Sequence, residues 1–171
     1  MPKENSLTNA CAEPVRPRIA DFDYDNCLIY GIGNVGRQDD GLGWAFVDWV
    51  ENSGLCPRAE LVRHYQLMPE DADLISRKER VLFVDATKAS DIDSVRVETV
   101  AGRFDLSFTS HALSVPTVID VCRVCFGRMP QVQLLTIRGY DWGLKVGLTE
   151  AATRNLETAK QLFASKGIGH D

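Results

Sequence analysis

The sequence predicts an α/β domain, a three-layer sandwich with a mostly parallel sheet and helices on both faces. Three observations predict it. Short apolar runs such as Cys27–Ile32, Val81–Val84 and Val132–Ile137 end at glycine or a charged residue, as strands buried on both faces do. Segments with helical spacing lie between most of those runs. The length, 171 residues, and the composition, 44% hydrophobic and 25% charged, suit one globular domain without a second. A chain this long buries roughly 70% of its unfolded surface and needs no disulfide staples.

The elements follow in order. Met1 to Asp25 has prolines, charges and polar residues and predicts a mobile extension, ordered at most near Phe22 and Tyr24. The domain proper is expected over residues 26–166, with 167–171 as a tail. Cys27–Ile32 reads as a buried strand ended by glycine. Gly43 to Glu51 reads as a helix with Phe46, Val47 and Val50 on its apolar face, and Asn52-Ser53-Gly54 stops it. Glu60–Tyr65 reads as a second strand. Pro69-Glu70-Asp71 starts a helix, because proline fits a first turn and acids oppose the positive end of the helix dipole. Val81–Val84 is a third strand, ending at Asp85. Ser94–Val100 and Arg103–Phe108 read as two more, joined as a hairpin through Ala101-Gly102. Ser114-Val115-Pro116 opens a helix that Gly127 and Pro130 close. Val132–Ile137 is another strand. Thr149 caps a last helix, with Ala152, Leu156, Ala159 and Phe163 at helical spacing and Gly167 at its end.

Charge and cysteine content narrow the function. The net charge is −5 and no long basic run exists, which argues against nucleic acid as a partner. No apolar run has transmembrane length, so no membrane role is expected. The five cysteines, Cys11, Cys27, Cys56, Cys122 and Cys125, form an odd set in a chain of ordinary size. Reduced thiols in a cytoplasm fit that better than a secreted disulfide framework.

The candidate chemistry begins at the turn Gly31-Ile32-Gly33-Asn34, followed by Asp39-Asp40-Gly41-Leu42-Gly43. Two carboxylates sit there between a buried strand and a helix. Gly31 to Gly36 also satisfies the dinucleotide pattern G-x-G-x-x-G. However, Arg37-Gln38-Asp39-Asp40 separates it from the helix, two acids would face a pyrophosphate, and the second strand ends at His64-Tyr65-Gln66 without an acid for a ribose. No nucleotide is therefore expected. Taken alone, the loop reads equally well as a turn with solvated acids. Asp85 adds weight, because ligands of open α/β sheets gather beyond the carboxyl ends of the strands. Its bland reading is a cap or loop hydrogen bond. Of three histidines, His170 lies in the tail and His64 reads as structural or peripheral. His111, before a helix, is the better site candidate, against the bland reading of an ordinary loop histidine. Two carboxylates and an imidazole suit a borderline divalent metal and leave open positions for water activation or carbonyl polarisation.

Other signals are weaker. Cys122-Arg123-Val124-Cys125 lacks a second pair and falls late in an apolar helix, so both thiols are expected to pack as small hydrophobes. Cys27 and Cys56 read as core and loop. No serine stands in a nucleophile elbow. Trp44 and Trp49 read as core or partner-facing residues.

Taken together, Gly31-Ile32-Gly33-Asn34, Asp39-Asp40-Gly41-Leu42-Gly43, Val84-Asp85-Ala86 and Ser110-His111 resemble, in order and approximate spacing, the motifs of the nickel–iron hydrogenase maturation proteases. Gln66 to Ala72 resembles the Q-L-x-P-E segment of one branch, and Gly147-Leu148-Thr149 the closing motif. The resemblance covers roughly Asn26 to Ser165. It implies an endopeptidase that removes the C-terminal extension of a hydrogenase large-subunit precursor after nickel insertion. It also implies that Asp40, Asp85 and His111 contact metal, with the nickel carried by the precursor and Asp39 orienting Asp40 or acting as a base. Many members carry glutamate where this chain has Asp40, and the long N-terminal extension also departs from the pattern. Two alternatives stay open: a related peptidase acting on another precursor or small peptide, and a non-catalytic nucleotide- or protein-binding α/β module.

Overall fold

A computed structural model describes residues 17–101 and 113–164. Five strands form one sheet: β1 (Cys27–Ile32), β2 (Glu60–His64), β3 (Arg80–Thr87), β4 (Val95–Thr99) and β5 (Gln131–Arg138), in the order β2-β1-β3-β5-β4. All neighbours are parallel except β4, which runs antiparallel to β5. The helices are α1 (Leu42–Asn52), α2 (Asp71–Ser76), α3 (Val115–Phe126) and α4 (Glu150–Ala164).

Alternation along the central strands builds two cores. Cys27 and Ile29 of β1 and Leu82 and Val84 of β3 face α1 and α4, where they meet Phe46, Val50, Leu156 and Phe163. Leu28, Tyr30, Val81 and Phe83 face α2 and α3, where they meet Ala72, Ile75, Val118 and Ile119. Both faces of β1 are buried, which explains its unbroken apolar run. The expected three-layer sandwich is therefore the observed one.

Local signals account for most element ends. Ser114 accepts from Thr117 N–H and caps α3; Gly127 ends it in the left-handed conformation, φ 64°. Thr149 Oγ1 accepts from Ala152 N–H at the start of α4. Three expectations need correction. Pro69 lies outside α2, which starts at Asp71 and spans six residues, because Asp71 Oδ2 instead accepts from Met68 N–H and shapes the turn before it. Strand β3 does not end at Asp85: pairing with β5 continues through Thr87 opposite Arg138. The packed unit also begins before Asn26. A short turn over Ile19–Phe22 buries both of those apolar residues against the core, with Tyr24 packed beside them.

Cys27 and Cys56 are both buried, and Cys122 donates to the Ala72 carbonyl inside the α2–α3 layer. Cys125, expected to pack, is exposed: it lies one turn beyond Cys122, where α3 runs past the layer it packs on and Arg123, Val124 and Phe126 are exposed too. The Arg103–Phe108 strand, His111, Cys11, residues 1–16 and the tail beyond Ala164 lie outside the described residues. Among the described residues no helix is long and apolar enough to cross a membrane.

Candidate functional site

Strand order reverses between β1 and β3. The chain leaves β1 toward β2 on one side and returns to β3 on the other. At such a switch point the loops beyond the carboxyl ends diverge and leave a crevice. The loop after β1 and the last residues of β3 form its walls.

Close backbone approach shapes the first wall. A Cβ at Gly43 would lie 2.3 Å from the Ile32 carbonyl oxygen and 2.5 Å from that of Val84. The start of α1 therefore rests directly on β1 and β3. Gly33, at φ 136°, leaves no room either, because a Cβ there would lie 1.8 Å from the Asp40 carbonyl oxygen. These glycines serve packing between the strand, the loop and α1. Between β1 and α1 comes a tight turn over Val35–Gly41, broken at Arg37 and Gln38. Gln38 has φ 51°, a conformation that costs an L-residue energy. Its N–H donates to Lys145 O at 2.8 Å, and Asp39 N–H donates to Asp141 O at 3.0 Å. The segment between β5 and α4 thus holds the turn in place.

Asp39 and Asp40 have different surroundings. Asp39 is fully buried. Its carboxylate accepts from the N–H groups of Tyr140, Asp141 and Thr149 at 2.8, 3.1 and 2.7 Å and from the Thr149 hydroxyl at 2.9 Å. Burial pushes its pKa upward, but those hydrogen bonds outweigh it and hold the carboxyl below its usual range. With its lone pairs engaged and its basicity reduced, Asp39 is built as a staple between two loops. That chemistry argues against the base role and fits the orienting one. Asp40 is partly exposed, and its Oδ1 accepts from Trp142 Nε1 at 3.2 Å.

Asp85 supplies the opposite wall. Its Oδ1 accepts from Ala86 N–H at 2.8 Å. Burial raises its pKa to about 7 and the negative charge of Asp40 adds to the rise, while the Ala86 hydrogen bond opposes it. A buried carboxyl raised in this way beside a second carboxylate suits a bound cation or a retained proton. His111, the third expected member, lies outside the described residues; the described chain resumes at Leu113, whose N–H donates to the Leu67 carbonyl just past β2. Among the described residues no group of three or more His, Cys, Asp or Glu side chains is arranged to hold a metal ion.

His64 ends β2 with an exposed ring edge-on to Tyr30 and 3.8 Å from Asp71, in keeping with a peripheral role. It lines an open groove with Trp44, Tyr65 and Met68, where Trp44 donates to the His64 carbonyl. Trp49 packs edge-on against Phe46. Sequence reasoning missed Trp142 and Lys88, whose ammonium sits 4.7 Å from the Trp142 ring centroid. A tryptophan in the polar, glycine-flanked run Gly139 to Gly143, just past a buried strand, was the available signal. It also missed the second use of Thr149, which caps α4 and binds Asp39 at once.

No family model matches the sequence, and no curated protein matches it. Solved structures do match. A nickel–iron hydrogenase maturation protease HycI from Thermococcus kodakarensis superposes with a TM-score of 0.64 at 20% identity, over 85% of this chain and 96% of that one. The hydrogenase-maturating endopeptidase HybD from E. coli gives 0.63 at 17% identity, over 81% and 90%. The maturation protease HybD from Thermococcus kodakarensis gives 0.59 at 15%, over 81% and 99%. The class these likenesses define is a fold: the mostly parallel α/β sandwich of the solved hydrogenase maturation proteases. Within it, this chain places Asp40 and Asp85 across the crevice at the switch point.

Proposed function

We propose that the protein is an endopeptidase that removes the C-terminal extension of a nickel-loaded hydrogenase large-subunit precursor. The observation that carries the reading is the pair Asp40–Asp85, two mutually repelling carboxylates at the switch point of a fold shared with such proteases. The donor chemistry fits nickel held by the precursor. Each carboxylate accepts a hydrogen bond at Oδ1 within the chain, from Trp142 or Ala86, and a cation between the two would offset the burial, and the lesser repulsion from Asp40, that raise Asp85.

In this reading Asp40, Asp85 and His111 contact the precursor's nickel, which reports that loading is complete and sets the scissile peptide in the crevice. Asp39 contributes by fixing the Asp40 loop. A metal-polarised carbonyl or activated water supports hydrolysis. The substrate's folding and assembly follow cleavage, so the setting is the cytoplasm.

The test mixes the protein with nickel-loaded and nickel-free precursor and follows mass. Cleavage of the loaded form alone is expected; cleavage of neither overturns the reading. His111→Ala is expected to abolish cleavage, and a normal rate in that variant would remove His111 from the site.

A further inference from the structure

The segment between β5 and α4 carries more than the staple. Leu144 is 91% exposed and Val146 78% exposed. Exposed aliphatic residues are unremarkable when scattered on flexible loops. Here they flank Lys145 on a segment tied down at both ends. Tyr140, Asp141 and Thr149 donate to buried Asp39, Lys145 N–H donates to Gly143 O, and Gly143 N–H donates to Asp141 Oδ1. Fixing an apolar tip in place lowers the entropy lost when a partner covers it.

Charge adds a second observation. The chain is net acidic, yet Arg37, Lys88 and Lys145 belong to this neighbourhood and form no ion pair among the described residues. Lys88 lies over Trp142, Lys145 accepts from Gln38 through its carbonyl, and Arg37 adjoins Gln38. Cations left unpaired around an apolar tip complement an acidic face with an apolar depression. The same tip is bonded to the turn bearing Asp40, through Lys145 O and Gln38 N–H, so whatever covers it is placed at the crevice.

We infer that the Leu144–Val146 tip, together with Lys145 and with Arg37 and Lys88 on the segments bonded or packed to it, docks the folded body of the substrate protein and delivers its cleavable end to Asp40 and Asp85. The inference rests on the proteolytic reading above and adds to it where the substrate is gripped. Recognition is then divided: the carboxylates inspect the metal, and the tip selects the protein that carries it.

The experiment measures cleavage rate against precursor concentration for the full-length protein, for L144S/V146S, and for V124S, whose side chain is exposed on α3 away from the crevice. L144S/V146S is expected to lose about tenfold or more in kcat/KM, through KM, with kcat little changed. V124S is expected to match the parent. The parent's KM is expected to rise with ionic strength. An unchanged kcat/KM in L144S/V146S overturns the docking role and leaves the proteolytic reading standing. So does a loss confined to kcat. Failure of the parent to cleave any precursor overturns both. A concentration-dependent dimer of the parent that L144S/V146S dissolves assigns the tip to a second copy and overturns the inference.

Discussion

Asp85 and Asp39 carry opposite electrostatic signatures, and each predicts its own pH dependence. Asp85 has a folded-state pKa of about 7, above its unfolded value. Below about pH 4 both states hold the proton. As pH rises from there to about 7 the unfolded chain ionises first, so the group increasingly favours unfolding. In metal-free protein, Asp85→Asn is therefore expected to gain stability over the parent progressively across that window and to plateau above it. Urea midpoints at a series of pH values check this; a pH-independent difference would contradict it. Asp39 is held below its usual range, so its contribution is present above the unfolded pKa and fades as pH falls through the folded one. Asp39→Ala leaves three partly buried N–H donors without their acceptor and is expected to cost about 3 kcal/mol at neutral pH. The sequence showed adjacent acids on a loop but could not rank them. Their difference arises from donors more than a hundred positions away, which no local pattern encodes.

At the scale of elements, steric contact separates glycines that look alike in the sequence. Gly43→Ala would drive a methyl into the carbonyls of Ile32 and Val84, lifting α1 off the sheet. A loss of about 2 kcal/mol or more is expected. Gly127→Ala meets nothing within 4 Å and pays only for its left-handed backbone, about 1 kcal/mol. Thermal denaturation of the two variants side by side tests the ranking. Thiol chemistry tests the α3 assignment. Cys125 is expected to react with a maleimide in native protein, while Cys27, Cys56 and Cys122 stay protected. Burial pushes those three thiols upward, to about 12 for Cys56 and about 11 for Cys122. Strands and helices were legible because their signals are local: apolar runs, a serine cap, a glycine stop. The ends of α2 and β3 were not. Asp71 reshapes the turn before α2, and β5 extends β3 past the point where apolar residues give way to Asp85.

For the whole molecule, sheet order decides where chemistry can occur. The β2-β1-β3-β5-β4 arrangement puts its switch point between β1 and β3, and Asp40 and Asp85 lie near enough there for the charge of one to act on the other. The positions of both acids were readable, since Asp85 directly follows an apolar run and Asp40 lies on the glycine-punctuated loop after another. The contribution of the β5–α4 segment was not, because its importance lies in tertiary bonds to a turn far upstream. The staple at Asp39 also governs when the site can exist. Its acceptors are met by residues 101, 102 and 110 positions further along the chain. Contacts so distant in sequence close late, after local helices and early strand pairs have formed. On the ribosome, a chain with β1, α1 and β3 already emerged holds Asp40 and Asp85 but lacks the donors that fix their turn. The crevice is thus completed only when synthesis has passed Thr149, and an unfinished chain carries its acids on a turn that nothing yet holds.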